Sequence, residues 1–180
     1  RAFAARLSGS GPSAFGPEFR DVDFKFIDDL PPDRAFKDLR FLPVKELVFY
    51  GVGEDMAPLS KGGVHLRPQQ YHAKMMEKDT VIVDVRNSYE AEIGRFTGQE
   101  AAGGAEYIDP KMRKSTDFKH WLDKEETQEK LKGKQVLLYC TGGVRCERAS
   151  ALINHKIGGD INGVYQLHGG VEKYMQEFKD

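Results

Sequence analysis

The sequence predicts an α/β fold in which a parallel sheet is flanked by helices, and three observations carry that expectation. The runs "TVIVDVR" (Thr80–Arg86) and "GKQVLLYC" (Gly133–Cys140) are short and strongly apolar, as strands buried on both faces require. Residues with helical spacing follow each run. The alternation then repeats through "GVYQLHGG" and the closing "VEKYMQEF", and strands alternating with helices form βαβ units.

Each element follows in chain order. "GSGPSAFGP" (Gly9–Pro17) is a loop by composition. In residues 19–28, Val22, Phe24 and Phe26 alternate with Asp21, Asp23 and Lys25, which is a strand period. "DDLPPDRAF" breaks that strand. "VKELVFYGV" (Val44–Val52) is expected as a second strand because Val48, Phe49 and Tyr50 suit a pleated surface. "APLSKGGVHLRP" has the composition of a linker. Residues 1–60 are therefore expected to be a partial N-terminal α+β domain, too poor in apolar positions for a core of its own. Residues 66–178 form the main domain. Pro68 opens a helix through "QQYHAKMMEK", and "NSYEAEI" is a short helical turn. "DFKHWL" and "EETQEKL" are helices, with Phe118, Trp121 and Leu122 on one face. "RCERASALINHK" is a longer helix that presents Ala149, Leu152 and Ile153 together.

Hydrophobic residues make up 39% and charged residues 31%, with a net charge of −1. This is ordinary globular composition, and the evenly spread charge supplies no basic footprint for nucleic acid. No apolar run approaches the roughly 20 residues of a membrane span, so no membrane association is expected. The chain opens on Arg1 and is read as starting inside a longer protein. "RAFAARL" fits the end of an amphipathic helix better than a transit segment. Two cysteines make no disulfide framework, which points to a reducing compartment, cytoplasmic or else mitochondrial.

Both cysteines lie in "VLLYCTGGVRCERAS" (Val136–Ser150). Cys140 ends a buried strand, the edge where α/β sheets bind ligands. Thr141, Gly142, Gly143, Val144 and Arg145 then make a short arc into the next helix. Two glycines permit backbone angles that turn successive N–H groups toward one centre. The helix amino terminus adds its dipole and Arg145 a full charge. A thiol in such an arc ionises well below the free value of about 8.5. Cys140 is thus the candidate nucleophile and residues 141–145 the candidate anion-binding loop; the duller alternative is a buried cysteine before a tight Gly-Gly turn. Zinc is not expected, because two thiols stand without a second pair or spaced histidines, and no cofactor is implied. Four residues separate Cys140 from Arg145, one fewer than in the C-x5-R phosphatase loop. That tighter ring suits a small sulfur centre better than a phosphoryl group. Tyr139 also stands where tyrosine phosphatases carry histidine.

Other residues have two readings each. Asp84 and Arg86 either touch substrate or support the loop edge as an ion pair, and Glu90 anchors a loop or opens a helix. Cys146 either resolves a Cys140 persulfide or packs as a small buried residue. His168 reads as a surface histidine near the same sheet edge. Lys111, Arg113 and Lys114 form a solvated face or an RNA contact, and Trp121 with Phe118 reads as core.

These stretches together resemble the rhodanese-like sulfurtransferases. "DVRNSYEAEIGRF" (Asp84–Phe96) is similar to that family's first signature, with Glu90 and Gly94 matching and Arg95 and Phe96 replacing His and Ile. "YCTGGVRCERAS" is similar to its active-site loop, and "LHGG" (Leu167–Gly170) to its closing turn. "CTGGVRCE" and "SKGGVHLRP" more narrowly resemble the tRNA uridine hydroxylase branch. The resemblance implies a rhodanese-like sheet preceded by a ferredoxin-like segment. It implies sulfur transfer from thiosulfate or a persulfide through a persulfide on Cys140, with residues 141–145 as the binding loop. It also implies two alternatives: tRNA uridine modification, with tRNA as a partner, or a non-catalytic binding module, whose usual mark is loss of the cysteine.

Overall fold

The computed structural model describes residues 30–35, 37, 38, 43, 44 and 46–179. The chain divides into two units, Arg1–Pro43 and Val44–Asp180. Among the described residues of the first unit, Pro32–Arg34 form a single 3-10 turn. The strand expected over residues 19–28 lies outside the described residues.

In the second unit, five strands are described: β1 (Val64–Leu66), β2 (Thr80–Asp84), β3 (Glu106–Ile108), β4 (Gln135–Tyr139) and β5 (Gly163–Leu167). They pair in the order β1-β5-β4-β2-β3, every neighbouring pair parallel. The helices are α1 (Pro68–Met75), α2 (Ser88–Ile93), α3 (Asp117–Leu122), α4 (Glu125–Leu131), α5 (Val144–Ile157) and α6 (Gly170–Glu177). None is long and apolar enough to cross a membrane among the described residues.

The period of two along each strand divides the core into two layers. Val81, Val83 and Val85 of the β2 stretch and Val136 and Leu138 of β4 pack with Phe118, Leu122, Leu131, Leu152 and Ile153. Ile82, Leu137 and Tyr139 point the other way, toward Tyr71 and Met75 of α1, with Val171 and Tyr174 of α6 beside them. Each buried Leu or Ile contributes about 1.5–3 kcal/mol, so α5, which buries Leu152, Ile153 and Ile157, is firmly seated behind the sheet.

Three sequence expectations change. The stretch that resembled a linker contains β1, and β3 forms where no strand was expected. The strand expected over residues 44–52 is absent among the described residues there. Instead, Glu46 Oε2 accepts the N–H groups of Tyr50 at 2.9 Å and Gly51 at 3.2 Å, which curls the chain. Residues 46–57 run as a strap over α5, with Tyr50, Val52 and Ala57 buried in the first core layer. Arg148 of α5 holds the strap: it donates to the carbonyls of Ala57 at 2.7 Å and Val52 at 2.9 Å and pairs with Glu46. Side-chain anchorage here overrides the β-propensity of Val48, Phe49 and Tyr50.

The strand order also locates a crevice. From β2 the chain runs outward to β3, and from β4 it runs the opposite way to β5. The loops leaving the carboxyl ends of β2 and β4 therefore diverge, and ligands bind at such a switch point.

Candidate active site

Cys140 follows β4 directly, and its side chain joins the core layer of Val83 and Val85. It is 2% exposed, so its sulfur lies at the bottom of the loop. The Gly143 N–H donates to that sulfur at 3.1 Å. The loop's carbonyls turn away from it. The Val171 N–H takes the Cys140 carbonyl at 2.9 Å, and the Glu172 N–H takes that of Thr141 at 3.1 Å. In planar trans peptides the N–H lies opposite the carbonyl, so the amides of Thr141 and Gly142 are turned away from α6. The start of α6 thereby orients the arc.

Two glycines make this arrangement possible. Gly143 has φ +91, which side chains rarely adopt. Gly170 has φ +67, and a Cβ there would lie 2.3 Å from the Thr141 oxygen and 2.6 Å from that of Cys140. Gly142, grouped with Gly143 in the sequence, needs neither licence: its φ is not left-handed and a Cβ would meet no atom within 4 Å.

The Cys140 thiol is lowered to about 6. The largest cause is a hydrogen bond from the Cys146 thiol. Burial opposes it, and the Arg145 and Cys146 amides and the Arg145 charge add to it. Cys146 is fully buried in the first turn of α5, and burial pushes its own thiol well up. The two thiols are thus shifted in opposite directions, Cys140 down and Cys146 up.

Arg145, expected to add its charge to the loop, is bound on both terminal guanidinium nitrogens. Its Nη1 donates to Glu90 Oε2 at 2.7 Å, and its Nη2 to Glu90 Oε1 at 2.8 Å and the Thr141 hydroxyl at 2.9 Å. The Thr141 hydroxyl donates in turn to Glu90 Oε1 at 2.9 Å, and Glu90 Oε2 also takes the Asn87 N–H at 3.1 Å. Glu90 is accordingly held at about 2, first by Arg145, against its burial. The acid read as an anchor ties α2 to both ends of the Cys140 loop. Val144 is exposed at the loop's outer side.

Asp84 and Arg86 lie on the opposite face from Cys140, as strand parity dictates. Arg86 donates through Nε to Asp84 Oδ1 at 2.9 Å and through Nη2 to Oδ2 at 2.7 Å and the Gly94 carbonyl at 2.7 Å. The Tyr139 hydroxyl donates to Asp84 Oδ2 at 2.5 Å, and that of Tyr107 does so at 3.2 Å. The pair therefore braces the β2 loop from below. Phe118 is core, with Trp121 packed against it; Lys111, Arg113 and Lys114 are exposed.

Tyr50 is the site neighbour that sequence reasoning missed. Its hydroxyl donates to the Arg145 carbonyl at 3.0 Å. Nothing in the local pattern around Tyr50 signals a partner 95 residues away.

The rhodanese-like domain model matches residues 67–177, and the chain belongs to that family. A rhodanese-like domain-containing protein 6 of Arabidopsis thaliana is 35% identical over 176 residues, covering 89% of this chain and 29% of its own length. A protein of Bacillus licheniformis named tRNA uridine(34) hydroxylase is 34% identical over 161 residues, covering 89% of this chain and 45% of that protein. The chain thus spans less than half the length of these curated relatives. Among solved structures, a rhodanese-related protein of Thermoplasma volcanium has a TM-score of 0.42 at 15% identity, covering 63% of this chain and 92% of that one.

Proposed function

We propose that this chain is the thiolate-bearing domain of a tRNA uridine-modifying enzyme of the hydroxylase type, with Cys140 as its nucleophile. The observation that carries the reading is a cysteine lowered to about 6 whose sulfur takes the Gly143 N–H at 3.1 Å, in a chain similar along 89% of its length to a tRNA uridine(34) hydroxylase. Fixed amides in residues 141–145 offset negative charge as the thiolate attacks. Arg145 shapes that loop through Glu90 and Thr141, and Asp84 with Arg86 supports the neighbouring one. The test is ribonucleoside mass spectrometry of tRNA from cells carrying Cys140→Ser in place of the parent. Loss of an oxygenated uridine at position 34 supports the reading; an unchanged nucleoside profile overturns it.

One observation favours a second reading, sulfur transfer. A cysteine that is 2% exposed, in a ring closed by four intervening residues, admits a small electrophile most readily. In that chemistry the Cys140 thiolate attacks the outer sulfur of thiosulfate and forms a new S–S bond. Sulfite leaves with the electron pair of the old one. An acceptor nucleophile then takes the terminal sulfur and restores the thiolate, so one exchange becomes two. Thiosulfate-to-cyanide transfer with parallel initial-rate lines, together with an unaltered tRNA profile, selects this reading over the first.

A further inference from the structure

We propose that Tyr50 is a positioning residue for Cys140, acting through the peptide group that joins Arg145 to Cys146. The proposal rests on Cys140 being the reactive thiol. Tyr50 lies outside the stretch 67–177 that matches the family; it is carried by the strap. Its side chain is 1% exposed and meets Phe118 edge-on, with ring centroids 5.9 Å apart. The hydroxyl ends on the Arg145 carbonyl at 3.0 Å.

That carbonyl and the Cys146 N–H belong to one planar unit and point in opposite directions. The N–H side donates to the Gly143 carbonyl at 3.1 Å, and Gly143 is the residue whose own N–H donates to the Cys140 sulfur at 3.1 Å. A donor on the carbonyl polarises the peptide and strengthens what its amide does, since chained hydrogen bonds reinforce one another. The line runs from phenol to carbonyl, from amide to loop and sulfur. It also fixes the plane of the peptide from which α5 starts its first turn.

The phenol is held in place by α5 itself. Glu46, paired with Arg148, takes the Tyr50 N–H at 2.9 Å, and Arg148 stands three residues beyond Arg145. Burial keeps the Tyr50 hydroxyl protonated far above its ordinary range, and the nearby Cys146 and Cys140 groups add to that. It remains a donor at every pH at which Cys140 titrates.

The experiment measures the rate of Cys140 alkylation by iodoacetamide against pH, read by mass spectrometry on the full chain with no substrate present. Tyr50→Phe keeps the ring and its packing and removes the donor. Its alkylation midpoint should move up by about half a pH unit, as loss of a hydrogen bond favouring the thiolate requires. Ile157→Val, at the far end of α5 in the same core layer, serves as a destabilised control and should keep the parental midpoint. A Tyr50→Phe curve superimposed on the parent's overturns the proposal. Equal shifts in both variants also overturn it, because the effect then belongs to stability. A parental midpoint near the free-thiol value of about 8.5 overturns the thiolate reading itself, independently of Tyr50.

Discussion

Cys140 combines a lowered thiol with an amide donor from Gly143, parts that lie a few residues apart. Because its ionisation is lowered to about 6, alkylation of the parent should rise with a midpoint near pH 6, not near the free value of about 8.5. The linkage has the matching sign. A depressed pKa in the folded state stabilises the fold fully above about 8.5, and that contribution is lost as pH falls through about 6. The glycines give a sharper contrast. Gly170→Ala places a Cβ against two carbonyl oxygens at positive φ; thermal unfolding should show a loss of about 1–3 kcal/mol or more, and the alkylation midpoint should rise as the arc loosens. Gly142→Ala, with open space around it, should unfold like the parent. Sequence inspection could find Cys140 and Gly143 because strand, loop and helix are contiguous there. It could not separate Gly142 from Gly143, since only the folded backbone assigns each its φ, and it had no access to Tyr50, whose partner comes from tertiary packing.

At the level of elements, the divergence of the β2 and β4 loops matters more than any single helix. Asp84 and Arg86 are both buried, and truncating one partner of a buried ion pair strands the other charge. Arg86→Ala should therefore lower stability to urea by about 3–5 kcal/mol. Because the pair faces away from the Cys140 layer, the midpoint of Cys140 alkylation should stay at its parental value in the folded variant. An Arg86→Ala protein as stable as the parent would contradict the bracing role. β2 and β4 were legible from their apolar runs because both faces of each are covered. β1 and β3 were not: each has three residues, and Val64, His65 and Glu106 keep contact with solvent, so neither apolar content nor a full alternation builds up. Glu90 was legible as an anchor, but its partners Arg145 and Thr141 were not, because they arrive from the loop and helix that follow β4.

On the scale of the whole molecule, the sequence showed the α/β class through alternation alone, whereas the order β1-β5-β4-β2-β3 depends on pairings between segments far apart. The strap shows the same limit. Arg148 and Glu46 join residues 102 apart, and this joins residues 46–57 to the unit that begins at Val44. The carbonyls of Cys140 and Thr141 are turned outward by amides of Val171 and Glu172, which a ribosome adds some thirty residues after the cysteine. During synthesis the thiol therefore emerges before the segment that orients its loop. A released chain truncated after Leu167 should carry a thiol of ordinary reactivity, alkylated at pH 7 many times more slowly than the full chain. Delayed activation of this kind would leave the nascent cysteine less open to oxidation until the last helix of the domain has closed over its loop.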